Sequence, residues 1–353
     1  MSTIRASIEL VIDPHTAFHA LVDELTLAFD RLGMRLEPGS GGHVVEGSHM
    51  VGRTIAWEDG ERMAFEWRPA DWEPGDTTLV ELRVEPRPGG ARIVLEHQGW
   101  GRTVGEREEL VGWFAGQVIA PILAQTAPRA LGDWVTDRRA RRPSGADARG
   151  TYRDPLYHYP NFAVILEELA LTRNDHLLEV ACGGGALLKL ALESGCRAAA
   201  VDHSADMVRL ARHENAAAVA DGRLDVRQAR AEALPFADGT FTCAAMTGVF
   251  GFLAEPVKAL SEMHRVLARG GRAVVLGSDP HWKGTPAAPE PMASRLNFYS
   301  DDELATMGRA AGFDEVQVVR RDLEPHARQA GVPEEHLPLF AGVGAPFLLA
   351  RNR

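Results

Sequence analysis

The run Glu179-Val180-Ala181-Cys182-Gly183-Gly184-Gly185 joins an apolar segment to a helix-forming one, and that junction constrains the fold more than any other feature of the chain. Residues 175–181 are the kind of short apolar run that makes a buried parallel strand, and 186–193 carry apolar side chains at helical spacing. The glycines between them permit a turn too tight for side chains and let a ligand approach the backbone, while the N–H groups opening the next helix offer donors to a polar or anionic group. Asp202 ends the following apolar strand, 197–201, where a carboxylate can accept both hydroxyls of a ribose. Glycine turn and acid, one βαβ unit apart, describe a nucleotide-type cofactor site at the edge of an α/β sheet. Only the Gly-x-Gly part of GxGxxG is met, by Gly183 and Gly185, so the turn taken alone also suits a plain connection.

Further motifs follow in order. Leu234-Pro235-Phe236 precede Asp238-Gly239 and Phe241, an apolar strand runs to Met246, Glu262-Met263-His264-Arg265 lies in a helical stretch, and Gly270-Gly271 stops that helix before a strand at 272–276. Residues 301–311 read as a helix with Ser300 as N-cap and Gly312 just past its end, and 316–320 and 347–350 read as closing strands. This half, 152–353, resembles the class I S-adenosylmethionine-dependent methyltransferases, in the small-molecule branch similar to ubiquinone and menaquinone biosynthesis enzymes. The resemblance implies an α/β doubly wound, Rossmann-like domain with a seven-stranded, mostly parallel sheet closed by an antiparallel pair, and S-adenosyl-L-methionine as cofactor.

Carried onto the matching positions, the family's glycine loop falls on Glu179, Ala181, Gly183 and Gly185, around the methionine and ribose parts of the cofactor, and its ribose carboxylate falls on Asp202. His203, Thr247 and Tyr157 complete the implied contacts. Met207 stands where the family places an apolar side chain against the adenine, although its helical spacing from Val208 and Ala211 suits a core position equally. Arg230 stands where the family commonly has an Asp that accepts from the adenine amino group; a guanidinium cannot accept, which leaves the Ala231 backbone or the Glu232 side chain for that contact. Thr242 replaces a second common Asp, at the start of the fourth strand.

Methyl transfer from an activated sulfonium asks mainly for an acceptor held in line in a dry pocket, and a base only where the acceptor must lose a proton. The candidate bases are His281, beside Trp282 just beyond the strand at 272–276, and His158, in the aromatic stretch 152–159. For each, a place in a solvated loop or a hydrogen bond stands beside the catalytic reading. His264, mid-helix, is expected to pack or to face water.

Residues 1–140 form a different unit. Residues 7–13 alternate like a strand, 15–23 resemble a short helix, and β-rich runs follow at 50–56, 62–68, 77–85 and 92–96, the last two joined by a hairpin at 86–90. Residues 106–138 are helical in pattern, interrupted near Pro121 and Pro128. The opening strand and helix, the stretches 52–57 and 95–100, and Trp113-Phe114 resemble the helix-grip (START-like, SRPBCC) superfamily, in the branch of chaperone ATPase-activator homologues, which implies an α+β domain with a long helix gripped by an antiparallel sheet. Trp57, Trp67, Trp72, Trp100 and Trp113 line a ligand pocket there or fill a core.

Residues 141–151, polar and carrying Pro and Gly, read as a linker. The formal net charge of -11 opposes phosphate-rich partners, so no nucleic acid is expected. No span approaches the roughly 20 apolar residues that cross a bilayer and nothing resembles a signal peptide, so no membrane partner and a cytoplasmic location are expected. Three cysteines, Cys182, Cys196 and Cys243, without CxxC spacing suit a reduced protein, and no metal is expected. The sequence thus points to methyl transfer onto a small organic acceptor at oxygen, nitrogen or carbon, in bacterial specialised metabolism, with a homodimer unsurprising. The alternatives are a ligand-binding or co-chaperone-like protein whose cofactor domain is a sensor or a degenerate remnant, and a non-methylating enzyme that binds the same cofactor.

Overall fold

The computed structural model describes residues 2–68, 77–100, 110–285 and 287–353. The chain divides into two compact units, Met1–Trp134 and Val135–Arg353.

In the first unit seven antiparallel strands follow the order β1-β7-β6-β5-β4-β3-β2, namely β1 (Ser2–Leu10), β2 (Met34–Glu37), β3 (His43–Glu46), β4 (His49–Glu58), β5 (Arg62–Trp67), β6 (Thr78–Arg87) and β7 (Gly90–Trp100). Helix α1 (Pro14–Arg31) begins where Asp13 accepts the Thr16 N–H at 2.9 Å and Pro14 needs no donor. The expected short helix at 15–23 runs on to Arg31 because Leu25, Ala28 and Phe29 continue the buried stripe of Ala17, Phe18 and Leu21. The four-residue strands β2 and β3 are too short for their alternation to stand out in the sequence. The late helical run is segmented as its prolines suggest: a π turn (Ala115–Ile119) leads into α2 (Ala120–Thr126), the backbone opens at Ala127, and Pro128 starts α3 (Pro128–Thr136). Ile122 and Leu123 of α2 join Phe18, Leu21 and Phe29 of α1 and Leu82 and Ile93 of the sheet in one core, each fully buried side chain contributing about 1.5–3 kcal/mol. Residues 106–109 of the expected helix and Trp72 lie outside the described residues, as does the side chain of Trp100.

The second unit has a seven-stranded sheet in the order β10-β9-β8-β11-β12-β14-β13. Strands β8 (His176–Val180), β9 (Arg197–Asp202), β10 (Leu224–Gln228), β11 (Phe241–Met246) and β12 (Leu267–Leu276) pair in parallel, whereas β14 (Ala345–Arg351) runs antiparallel to both β12 and β13 (Glu315–Arg321). The sheet expected to be mostly parallel is therefore a mixed one, since its last two pairings are antiparallel. Alternation along the central strands supplies two cores: Leu177, Ala198, Ala200, Cys243 and Ala245 belong to one and Leu178, Ala199, Val201, Ala244 and Met246 to the other. On the first side pack α5 (Tyr159–Leu169) and α6 (Ala186–Ala191), and on the second α9 (Pro256–Val266) and α10 (Asp301–Ala310). The order reverses direction about β8, which opens a crevice beyond the carboxyl ends of β8, β9 and β11.

Three sequence expectations meet a different local structure. The expected linker, 141–151, lies mostly in α4 (Gly145–Arg153), which packs Ala148 and Tyr152 against Met207 and Leu210 of α7 (Ala205–Glu214, followed by the short α8, Ala216–Ala220) and donates the Gly145 N–H to Asp206 at 2.8 Å. One apolar i,i+4 pair is too little periodicity to reveal a helix. Helix α9 ends at Val266, so Gly270-Gly271 does not stop it but lies within the opening of β12, Gly270 at φ +78°. Thr242 has a structural part at the amino ends of the strands: its hydroxyl donates to Asp175 at 2.8 Å and accepts the His176 N–H at 2.9 Å. Burial would raise the Asp175 carboxyl, but Arg272 at 2.9 Å, Thr242 and Thr172 outweigh it and hold it well below the usual range. Among the described residues no helix is long and apolar enough to cross a membrane.

Candidate functional site

Strand β8 ends at Val180 and the chain turns at once. Ala181 takes φ +59°, Gly183 +51° and Gly185 +80°, conformations that L side chains rarely adopt. Asp202 at the end of β9 ties the turn to the sheet: one carboxylate oxygen accepts the Gly183 N–H at 2.9 Å and the other the Ser204 N–H at 2.8 Å. Ser204 in turn caps α7. On the far side Asn215 donates to the carbonyls of Gly185 at 3.1 Å and Ala211 at 3.0 Å. Glycine at 184 is a packing requirement, because a Cβ there would stand 2.1 Å from the Tyr152 carbonyl oxygen.

A cavity opens at this carboxyl edge, lined by Glu179, Gly183, Asp202 and His203 at the ends of β8 and β9, by Thr247 and Gly248 after β11, and by Tyr152, His158 and Phe162. The three aromatic rings stack in series, Tyr152 on His158 at 6.5 Å and His158 on Phe162 at 6.2 Å between centroids. Burial, and secondly the Asp202 carboxylate, push the Glu179 carboxyl well above its usual range. Burial raises Asp202 too, against the pull of the Ser204 and Gly183 N–H groups. Tyr152 is pushed up to about 12 by burial and Asp202, and burial lowers His158, which favours the neutral imidazole.

Two acids face this cavity, and among the described residues no lysine or arginine lines it. Glu179 Oε2 and Thr247 Oγ1 are buried without a hydrogen-bond partner among the described residues. Buried acceptors left in this state are satisfied by a ligand that brings donors, and a carboxyl destabilised by burial and by a second carboxylate is stabilised by a cation. S-adenosylmethionine carries an ammonium, a sulfonium and two ribose hydroxyls, so these residues fit it: Asp202 for the hydroxyls, Glu179 for the cationic end.

Of the residues singled out in the sequence, Glu179, Ala181, Gly183, Asp202, His203, Thr247 and His158 come together around the cavity. The others lie elsewhere. Gly185 begins α6 and faces α7, where a Cβ would meet Asn215 at 2.7 Å and Ala211 at 3.0 Å. Met207 is fully buried in the cluster with Ala148 and Leu210. Glu232 pairs with Arg230 at 3.4 Å, and neither it nor Ala231 lines the cavity. Tyr157, 44% exposed, shares a 2.7 Å hydrogen bond between its hydroxyl and His336 Nδ1. His281 is exposed, its Nδ1 2.8 Å from Asp279, which is itself buried and bound by Arg320 at 2.5 Å. Sequence reasoning gave no cofactor-site role to Tyr152, Cys182 or Asn215. Tyr152 opens the aromatic stretch that drew attention to His158, whereas Asn215 carries no local signal.

The first unit has a cavity of its own, between α1, the sheet and the start of the late helical run, lined by Phe29, Phe65, Trp67, Leu82 and Trp113 with His97 as its polar member. His97 is completely buried, shares a 2.6 Å hydrogen bond with Thr78, and is lowered to about 4 by burial.

Comparison with known proteins agrees with this division. Residues 178–275 match the family model described as a methyltransferase domain, and residues 13–115 match that of activator of Hsp90 ATPase homolog 1-like proteins. The demethylmenaquinone methyltransferase of Lactiplantibacillus plantarum is 28% identical over 197 residues, 48% of this chain and 83% of that one. The demethylmenaquinone methyltransferase of Thermus thermophilus is 43% identical over 124 residues, 33% of this chain and 54% of its own length. Among solved structures, the geranyl diphosphate C-methyltransferase of Streptomyces coelicolor, with Mg2+, geranyl diphosphate and S-adenosyl-L-homocysteine, is 15% identical with a TM-score of 0.45, covering 60% of this chain and 90% of that one.

Proposed function

We propose that this chain, a class I S-adenosylmethionine-dependent methyltransferase domain joined to a domain like the Hsp90 ATPase-activator homologues, methylates a small organic acceptor at oxygen, nitrogen or carbon. The observation that carries the reading is the pair of buried acids, Glu179 and Asp202, on a cavity that has no lysine or arginine among its described lining residues, at the switch point of an α/β sheet. When bound, S-adenosylmethionine supplies a methyl group on an electrophilic sulfonium. The chain's own part is to hold and to exclude: Asp202 and the Gly183 backbone position the adenosyl end, Glu179 meets the positive charge, and the stacked rings of Tyr152, His158 and Phe162 keep water out. His158, half-buried and held in its neutral form, is placed to accept a proton where the acceptor is a hydroxyl or an acidic C–H. The two curated relatives are named for demethylmenaquinone, which supports a flat, apolar acceptor. A role in bacterial specialised metabolism and a cytoplasmic site belong to the same reading, the latter in keeping with Cys182, Cys196 and Cys243 being free.

Calorimetric titration of the full chain with S-adenosylmethionine and with S-adenosylhomocysteine tests the proposal. One equivalent of each is expected, and absence of binding by both overturns it. A second reading rests on the apolar cavity of the first unit: that domain takes up a flat apolar ligand, and the cofactor domain senses rather than catalyses. Binding of both ligand types without S-adenosylhomocysteine release favours the second reading, and stoichiometric release favours the first.

A further inference from the structure

The absence of a metal was expected from the spacing of the cysteines, an argument that leaves the histidines out. His15 and His19 stand one turn apart on α1, so their rings project from the same face of the helix. Their Nε2 atoms are 3.3 Å apart, and Asp59 Oδ2, from the turn between β4 and β5, lies 3.9 Å from His19 Nε2. The three ligand atoms all fall within 4.8 Å of one another, and all three residues are exposed. We infer that the first unit carries a divalent-cation site formed by His15, His19 and Asp59, with water completing the coordination.

The geometry suits a cation of the zinc, nickel or copper type. A metal about 2.1 Å from each imidazole nitrogen, at the observed separation, would subtend them at roughly 100°, between octahedral and tetrahedral values. Asp59 stands slightly far for the same sphere, and an exposed side chain closes that gap by rotation. Two imidazoles and one carboxylate with open positions select borderline cations over magnesium or calcium, which prefer all-oxygen shells. Both partners are held on firm elements. Phe18, between the histidines, is buried and edge-on to His19 at 5.7 Å, and Gly60 lets the β4–β5 turn close on His15, where a Cβ would stand 3.2 Å from the ring. The Asp13 carboxylate, also at this end of α1, is engaged by Thr16 and is not counted as a ligand.

The site ties the first turns of α1 to the β4–β5 turn, so a bound cation stabilises the folded first unit. The test is calorimetric titration of the full chain with Ni2+ and, separately, Zn2+, with thermal melting in the presence and absence of each. The wild type is expected to bind one equivalent more tightly than any other and to melt higher when loaded. His15→Ala combined with His19→Ala should lose that equivalent, Asp59→Asn should weaken it by about ten-fold, and both should keep the wild-type circular dichroism because these side chains are exposed. The chain has 13 histidines, so the tightest equivalent could lie elsewhere; a double variant that retains it within two-fold, or a wild type that binds none, overturns the assignment.

Discussion

Replacing Asp202 by Asn separates what this residue does for the fold from what it does for a ligand. In the structure its two carboxylate oxygens accept the Gly183 N–H at 2.9 Å and the Ser204 N–H at 2.8 Å. Asparagine keeps one acceptor and turns an amide N–H toward the other donor, so one bond is lost and a buried N–H is left unpaired, a cost of about 1–3 kcal/mol. Against that, the substitution relieves a carboxyl that burial has already pushed up, which returns part of the cost. The protein should therefore fold, melting low by roughly 2–12 °C less whatever that relief returns, on the usual scale of about 2–4 °C per kcal/mol for a unit of this size. Binding is different, because a charged acceptor contributes roughly 1.5–3 kcal/mol per hydrogen bond, and one lost bond already corresponds to at least ten-fold in affinity. The assay is paired: calorimetric titration with S-adenosylmethionine and a thermal melt of the same preparation. Expected is a loss of ten-fold or more with the fold retained. Affinity within two-fold of wild type would refute the assignment of Asp202, and a variant that fails to fold would show that the carboxylate serves the turn first.

Gly184→Ala places a Cβ 2.1 Å from the Tyr152 carbonyl and 2.9 Å from a Leu210 methyl, so α4 must shift; a loss of about 1–3 kcal/mol and faster proteolysis within residues 138–153 are expected, whereas Gly150→Ala, with open space around it, should be neutral or slightly stabilising. A Gly184→Ala protein that melts with the wild type refutes the packing of α4 on the loop. His97, lowered to about 4 by burial against an unfolded value near 6.5, leaves the native state binding fewer protons than the unfolded one, so its stabilisation is complete above the unfolded value and is lost as pH falls toward 4. Urea unfolding of the first unit should accordingly lose about 2 kcal/mol between pH 7 and 5, and His97→Gln should flatten that dependence; equal pH slopes would sink the argument.

What was legible in the sequence was whatever repeats at short range. The run 175–181 announced β8 because Leu177, Leu178, Val180 and Ala181 crowd into a short segment, the Gly183–Gly185 turn announced itself by composition, and Ser300 marked the start of α10 as its N-cap, to which the structure adds the Glu303 half of a capping box. What was not legible depends on partners far along the chain. Residues 141–151 looked like a linker because α4 gains its stability from Met207 and Leu210, about sixty positions away, and not from its own pattern. Thr242 looked only like the loss of a family Asp because its partners, the Asp175 carboxylate and the His176 N–H, can be seen only once the strands are aligned; they place it at the amino end of the sheet, opposite the cavity. The same logic divides the candidate site. Residues fixed by the β8 turn and the end of β9 (Glu179, Gly183 and Asp202) fell where motif spacing put them, because a parallel sheet brings successive carboxyl ends to one edge. Residues on the loops beyond those ends, Glu232, Tyr157 and His281, found partners in Arg230, His336 and Asp279 that no motif specifies, and none of the three lines the cavity. A strand end inherits its position from the sheet, whereas a loop side chain is positioned by whichever polar group it meets, so in this chain the β8 and β9 ends carry the firmer evidence for a cofactor.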